Sequence, residues 1–100
     1  MASYYTSSGF VDLVGTCKII GNNVTSYTSN IRGAGTVTNL PGPNLNFRVS
    51  FPGVAHPFTI FASPNGSGFD GRANDVDGGN AEESWAATAT AVAAGSGQSS

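Results

Sequence analysis

The segment LNFRVSF, residues 45–51, alternates without a break. Leu45, Phe47, Val49 and Phe51 are apolar, while Asn46, Arg48 and Ser50 are polar. A β-strand turns successive side chains to opposite faces, so this pattern predicts a strand with one buried face. Upstream, Ser8 to Ile20 reads as one longer strand. Val11, Leu13, Cys17 and Ile19 share one face, and Phe10, Val14 and Ile20 fall on the other. Such a strand is either covered on both sides or bent at Gly15. Gly21-Asn22-Asn23 is a turn signal, and Val24 to Ser29 makes a second strand. Ile31 to Leu40 holds Gly33 and Gly35, which within a strand mark a bulge or a close backbone approach.

Pro41-Gly42-Pro43-Asn44 breaks the chain before LNFRVSF. Pro52 to Pro57 connects to a strand over Phe58 to Ala62, ended by Ser63-Pro64-Asn65-Gly66. Gly68 to about Val76 follows, ended by Asp77-Gly78-Gly79-Asn80. Turns therefore recur about every ten residues, the spacing of a sandwich or barrel. The segment 81–94 supports two readings. Asn80 and Glu83 resemble a helix N-cap and capping box, and the run is rich in Ala. Read as a strand, WAATATAV alternates Thr88, Thr90 and Val92 with Ala, and a meander needs a last pairing partner. The strand is the preferred reading.

Composition agrees with an all-β chain. Gly, Ser, Thr and Asn fill 44 of the 100 positions. Thr fits a pleated surface, and Gly and Asn supply turns. The expectation is a single antiparallel β-sandwich or barrel of about six to eight strands, with a C-terminal helix at 81–94 as the alternative to a last strand. Residues 1–7 read as a polar lead-in, 8–93 as the β domain and 94–100 as a flexible Gly/Ser tail. The expected core is Val11, Leu13, Cys17, Ile19, Val37, Leu45, Phe47, Val49, Phe51, Phe58, Ile60, Phe69 and Trp85.

Charge narrows the function classes. Only 10% of residues are charged and the net charge is −2. Lys18, Arg32, Arg48 and Arg72 are scattered, whereas a nucleic-acid binder concentrates its cations, so no nucleic-acid partner is expected. No apolar run reaches the ~18 residues of a membrane span, and the first residues lack the pattern of a secretory signal. One cysteine, Cys17, excludes an internal disulfide and reads as a small buried hydrophobe.

The negative charge is concentrated. Five of the six acidic residues, Asp70, Asp75, Asp77, Glu82 and Glu83, lie within 14 positions. With Asn74, Asn80 and the glycines at 71, 78 and 79, they offer the hard oxygen ligands that calcium takes from a flexible loop. The spacing does not match an EF-hand, since the twelfth position counted from Asp75 is Ala86. The same residue types also make a solvated turn or a helix N-terminus. Trp85 follows the acidic run and offers a ring for stacking on a sugar, or a core anchor. The composition is similar to that of small lectins with few charges and Asn/Asp-rich calcium loops.

His56 is the one histidine, between prolines, and reads as a loop residue. With one Cys it cannot close a zinc site, and no nucleophile motif appears. No enzymatic activity is expected. Two functions remain. The first is a non-enzymatic, glycan-directed binding module, with Asp75, Asp77 and Trp85 contacting ligand and Asp70, Asp75, Asp77, Glu82 and Glu83 holding calcium. The second is a self-assembling coat, shell or surface component, a homo-oligomer joined through strand edges.

Overall fold

The structure, a computed structural model, describes residues 3–75 and 82–90. These form nine strands: β1 (Tyr4–Ser8), β2 (Gly15–Ile20), β3 (Asn23–Ser29), β4 (Gly33–Ala34), β5 (Thr36–Asn39), β6 (Leu45–Ser50), β7 (Phe58–Asn65), β8 (Gly68–Asp75) and β9 (Glu82–Ala89). All belong to one antiparallel sheet with the order β4-β3-β2-β1-β9-β8-β7-β6-β5. The expected all-β class therefore holds, with nine strands in place of six to eight. Segment 82–89 is a strand, paired to β1 on one side and β8 on the other. Its Ala-rich helix propensity yields to two flanking ladders.

The two ends of the sheet order, β4 and β5, are consecutive in the chain, joined through Gly35. The Gly35 N–H donates to the Tyr27 carbonyl at 2.8 Å. Farther along, the Asn39 side chain replaces a strand. Its Oδ1 accepts from Val24 N–H at 2.8 Å, and its Nδ2 donates to Val24 O at 2.9 Å. Backbone bonds and one amide side chain thus bring β3 against β5, and the sheet becomes a nearly closed barrel. Gly35 fulfils the expected close approach, because a Cβ there would lie 2.7 Å from the Phe51 ring.

Alternation fills the interior. Leu13, Val24, Tyr27, Leu45, Phe47, Val49, Phe58, Ile60 and Trp85 are all buried. Rings pack edge on through the core, with Trp85 and Phe47 centred 5.8 Å apart and Tyr27 and Phe51 5.9 Å apart. A hydrogen-bonded chain crosses this core. Trp85 Nε1 donates to Tyr27 Oη at 2.9 Å, which donates to Leu13 O at 2.7 Å. The buried Ser7 hydroxyl donates to the same carbonyl at 2.8 Å.

The outer wall is wetted by hydroxyls more than by charge. Thr28, Thr16, Thr6 and Thr88 stand side by side on β3, β2, β1 and β9. That row accounts for a surface built with few ionised groups.

Three sequence readings change. The lead-in at 1–7 contains a strand, β1. The single strand from Ser8 to Ile20 is β1's end, a 3₁₀ turn over Val11–Leu13, and β2. Val11 is 66% exposed and leaves the expected core, because that turn points it outward. Val37 and Phe69 are half-buried and pack against the core from its margin. The tail at 94–100 lies outside the described residues. Among the described residues, no helix is long and apolar enough to cross a membrane.

Candidate functional site at the charged end of the barrel

Antiparallel order brings alternate connections to the same end. The loops 9–14, 30–32 and 51–57 open at one end, together with the last residue of β8, Asp75, and the first of β9, Glu82. The opposite end carries the connections 21–22, 40–44 and 66–67, which contain no charged residue. The charged end gathers Asp12, Arg32, His56, Asp75, Glu82 and Glu83.

Two contacts order this end. Arg32 Nε donates to Asp12 Oδ1 at 2.9 Å, tying the loop after β3 to the loop after β1. Ser29 prepares that contact, since its buried hydroxyl oxygen accepts from the backbone of Ile31 at 3.2 Å and of Arg32 at 3.1 Å. The second contact joins His56 Nδ1 and Asp75 Oδ1 at 2.6 Å. The ladder explains it. Phe58 lies directly opposite Asp75, and His56 is two residues before Phe58 with its ring 5.3 Å from the Phe58 ring. The pair is close in distance but poorly aligned for a hydrogen bond, and neither atom finds another partner among the described residues. It is a close contact of the two side chains more than a directed bond.

The acidic stretch does not converge as one set. Asp70 lies five residues from Asp75 along β8, roughly 17 Å at strand rise. It stands on the outer wall between Ser63 and Ala86, nearer the uncharged end. Glu83 faces Ala73, and Glu82 faces Asn74. By alternation, Asp75 and Glu83 point to the barrel mouth while Glu82 points outward. Asp77 and Asn80 lie outside the described residues. Among the described residues, no group of three or more His, Cys, Asp or Glu side chains is arranged to hold a metal ion.

Trp85 belongs to the core. It is fully buried, opposite Gly71, and its indole N–H is used by Tyr27. Its place is therefore inside the wall and away from a ligand-facing surface. Cys17 is likewise buried, and burial pushes its thiol up to about 12, which keeps it protonated and unreactive at neutral pH. No hydroxyl or thiol among the described residues hydrogen-bonds to His56. The pairing of His56 with Asp75 was not legible in sequence, because no local spacing links a loop histidine to a strand end across a hairpin.

Comparison of the chain with protein-family models, curated proteins and solved structures finds no match.

Proposed function

We propose that this protein is a non-enzymatic binding module that meets a glycan at the charged end of its barrel. The observation that supports the reading is the division of the molecule. Among the described residues a packed apolar core occupies the interior. Asp12, Arg32, Asp75, Glu82 and Glu83 stand on loops and strand ends at one rim, while Lys18, Arg48, Asp70 and Arg72 lie along the strands. Rims of this kind are where binding residues are commonly placed. Asp75, Glu83, Asp12 and Arg32 are the hydroxyl-binding groups in this reading, and Asp75 and Asp77 are the first positions to substitute. Calcium enters as an auxiliary ion held by Asp75, Asp77 and Glu83, whereas Glu82 points outward from the mouth. Asp70 is too distant to join them.

The test is a thermal melt with excess chelator and then with millimolar calcium, followed by a glycan array. Binding only to the folded state must raise the midpoint. A calcium-dependent rise that Asp75→Ala and Asp77→Ala remove supports the auxiliary ion. Glycan binding lost in both variants supports the site, and glycan binding unchanged in both rejects it.

A second reading, self-assembly, is favoured by a different observation. Val11, Ile20, Ile31 and Phe61 are all more than half exposed. The nearly closed barrel removes the open strand edges on which assembly was first expected to rest, so contacts would run through these side chains instead. Sedimentation over a wide concentration range distinguishes the readings, since a strict monomer excludes assembly.

A further inference from the structure

We infer that the barrel carries a second binding site, a cleft for one pyranose ring beside Phe61 on the outer wall near the uncharged end. The inference rests on the reading of the chain as a glycan-binding module, but it concerns different residues.

A cavity of about 300 Å³ lies between the 41–44 loop and the outer face of β6 and β7, with Leu45, Asn46 and Phe61 completing its walls. That is the small end of the range of roughly 300–1,000 Å³ for ligand pockets, room for a single ring with its substituents. Phe61 is 55% exposed, a large apolar face left in water at the rim. In the ladder it stands between Asn46 on β6 and Arg72 on β8. Each neighbour strand is about 4.8 Å away across the sheet, so Phe61 shares the outer face with a residue carrying an amide and one carrying a guanidinium. A sugar ring has apolar C–H faces and polar edges, and this arrangement answers both.

The cleft is held ready. Asn46 Nδ2 donates to Pro41 O at 3.0 Å, and Asn22 Nδ2 donates to Pro43 O at 3.2 Å. Leu40 N–H donates to Asn46 O at 2.8 Å. Two prolines with both carbonyls engaged leave the loop little freedom to lose on binding. Asn46 Oδ1 itself is buried and finds no donor among the described residues, so it belongs to the wall that supports the cleft.

The other ligand classes fit less well. An extended peptide binds by adding a strand to a free sheet edge, and the nearly closed barrel offers none. A large apolar ligand needs an enclosed cavity, and among the described residues the interior holds the packed core.

The test is amide chemical-shift mapping of the full chain with three probes: methyl β-glucopyranoside, methyl β-galactopyranoside and N,N′-diacetylchitobiose. The expected result is saturable shifts at Gly42, Asn44, Leu45, Asn46 and Phe61 with at least one probe. Phe61→Ala weakens that binding about tenfold, the scale of a lost aromatic stack. Phe61→Leu weakens it similarly although it keeps the apolar bulk, and Phe61→Trp retains it. Shifts confined to 10–14, 30–32 and 54–58 overturn the cleft and leave the charged-end site standing. Shifts confined to the cleft uphold it and overturn the charged-end site. Shifts nowhere overturn both. Shifts at the cleft on raising protein concentration alone place a second copy there and overturn the sugar.

Discussion

Tyr27→Phe deletes one oxygen from the middle of the barrel. Tyr27 is 1% exposed, and its hydroxyl both receives the Trp85 indole N–H and donates to Leu13 O. After the substitution, Leu13 O keeps the Ser7 hydroxyl at 2.8 Å. The indole N–H keeps no partner among the described residues. A net internal hydrogen bond contributes about 0.5–1.5 kcal/mol, and an orphaned buried donor costs about 1–3 kcal/mol. With the Leu13 loss softened by Ser7, the total comes to about 2–4 kcal/mol. That is a large share of the roughly 5–15 kcal/mol that holds a domain folded. Urea unfolding followed by tryptophan fluorescence measures it directly, because Trp85 is the one tryptophan in the chain. The surface exposed on unfolding barely changes, so the slope should stay constant while the midpoint falls by about 1–3 M. A midpoint within about 0.3 M of the parent, at equal slope, would refute the claim that this hydroxyl joins the core.

The seam at Asn39 gives a second prediction. Asn39→Ala leaves Val24 N–H and C=O without their partners, with an expected loss of about 1–3 kcal/mol and faster hydrogen exchange at the Val24 amide. Unchanged protection at Val24 would show that the side chain does not hold the seam. A third prediction concerns alkaline pH. Burial pushes the Cys17 thiol up to about 12, whereas an unfolded thiol ionises near 8.5. The raised folded-state value means that this contribution is whole below about pH 8.5 and is lost as pH rises toward about 12. Burial shifts Tyr27 upward as well, so its contribution declines in the same direction. Cys17→Val should flatten the decline without abolishing it, and identical pH dependence in variant and parent would refute the assignment.

Hydrophobic alternation was a sound guide wherever large side chains line one face. Leu45, Phe47 and Val49 point inward, and Asn46, Arg48 and Ser50 do not, as LNFRVSF implies. It failed where the inward residue is small or polar. β1 turns Ser7 inward, and a buried serine satisfied by Leu13 O carries no apolar signal. Ala62, Ala73 and Ala87 are core residues because large rings such as Trp85 and Phe47 already occupy the space beside them. Val24 and Tyr27 both face inward at a spacing of three. The register between β2 and β3 shifts after Lys18, and the irregularity breaks the period of two. At the candidate site, the acidic run was conspicuous in sequence, but its division was not. Strand alternation sends Asp70 to the wall and Asp75 to the mouth, and only the fold supplies His56.

The pairing of β1 with β9 has a consequence for synthesis. Tyr5 lies opposite Ala89, and Thr90 N–H donates to Tyr4 O at 2.9 Å, so the earliest strand waits for the latest. A ribosome adds about 5–20 residues per second, and the hairpins from β2 to β8 can zip as they emerge. Until residues 82–90 leave the exit tunnel, the sheet hangs open with β1 and β8 each bare along one side. The nascent chain is then vulnerable to pairing with its neighbours on a polysome. The finished molecule hides that hazard, and its safety depends on how quickly the final strand reaches the first.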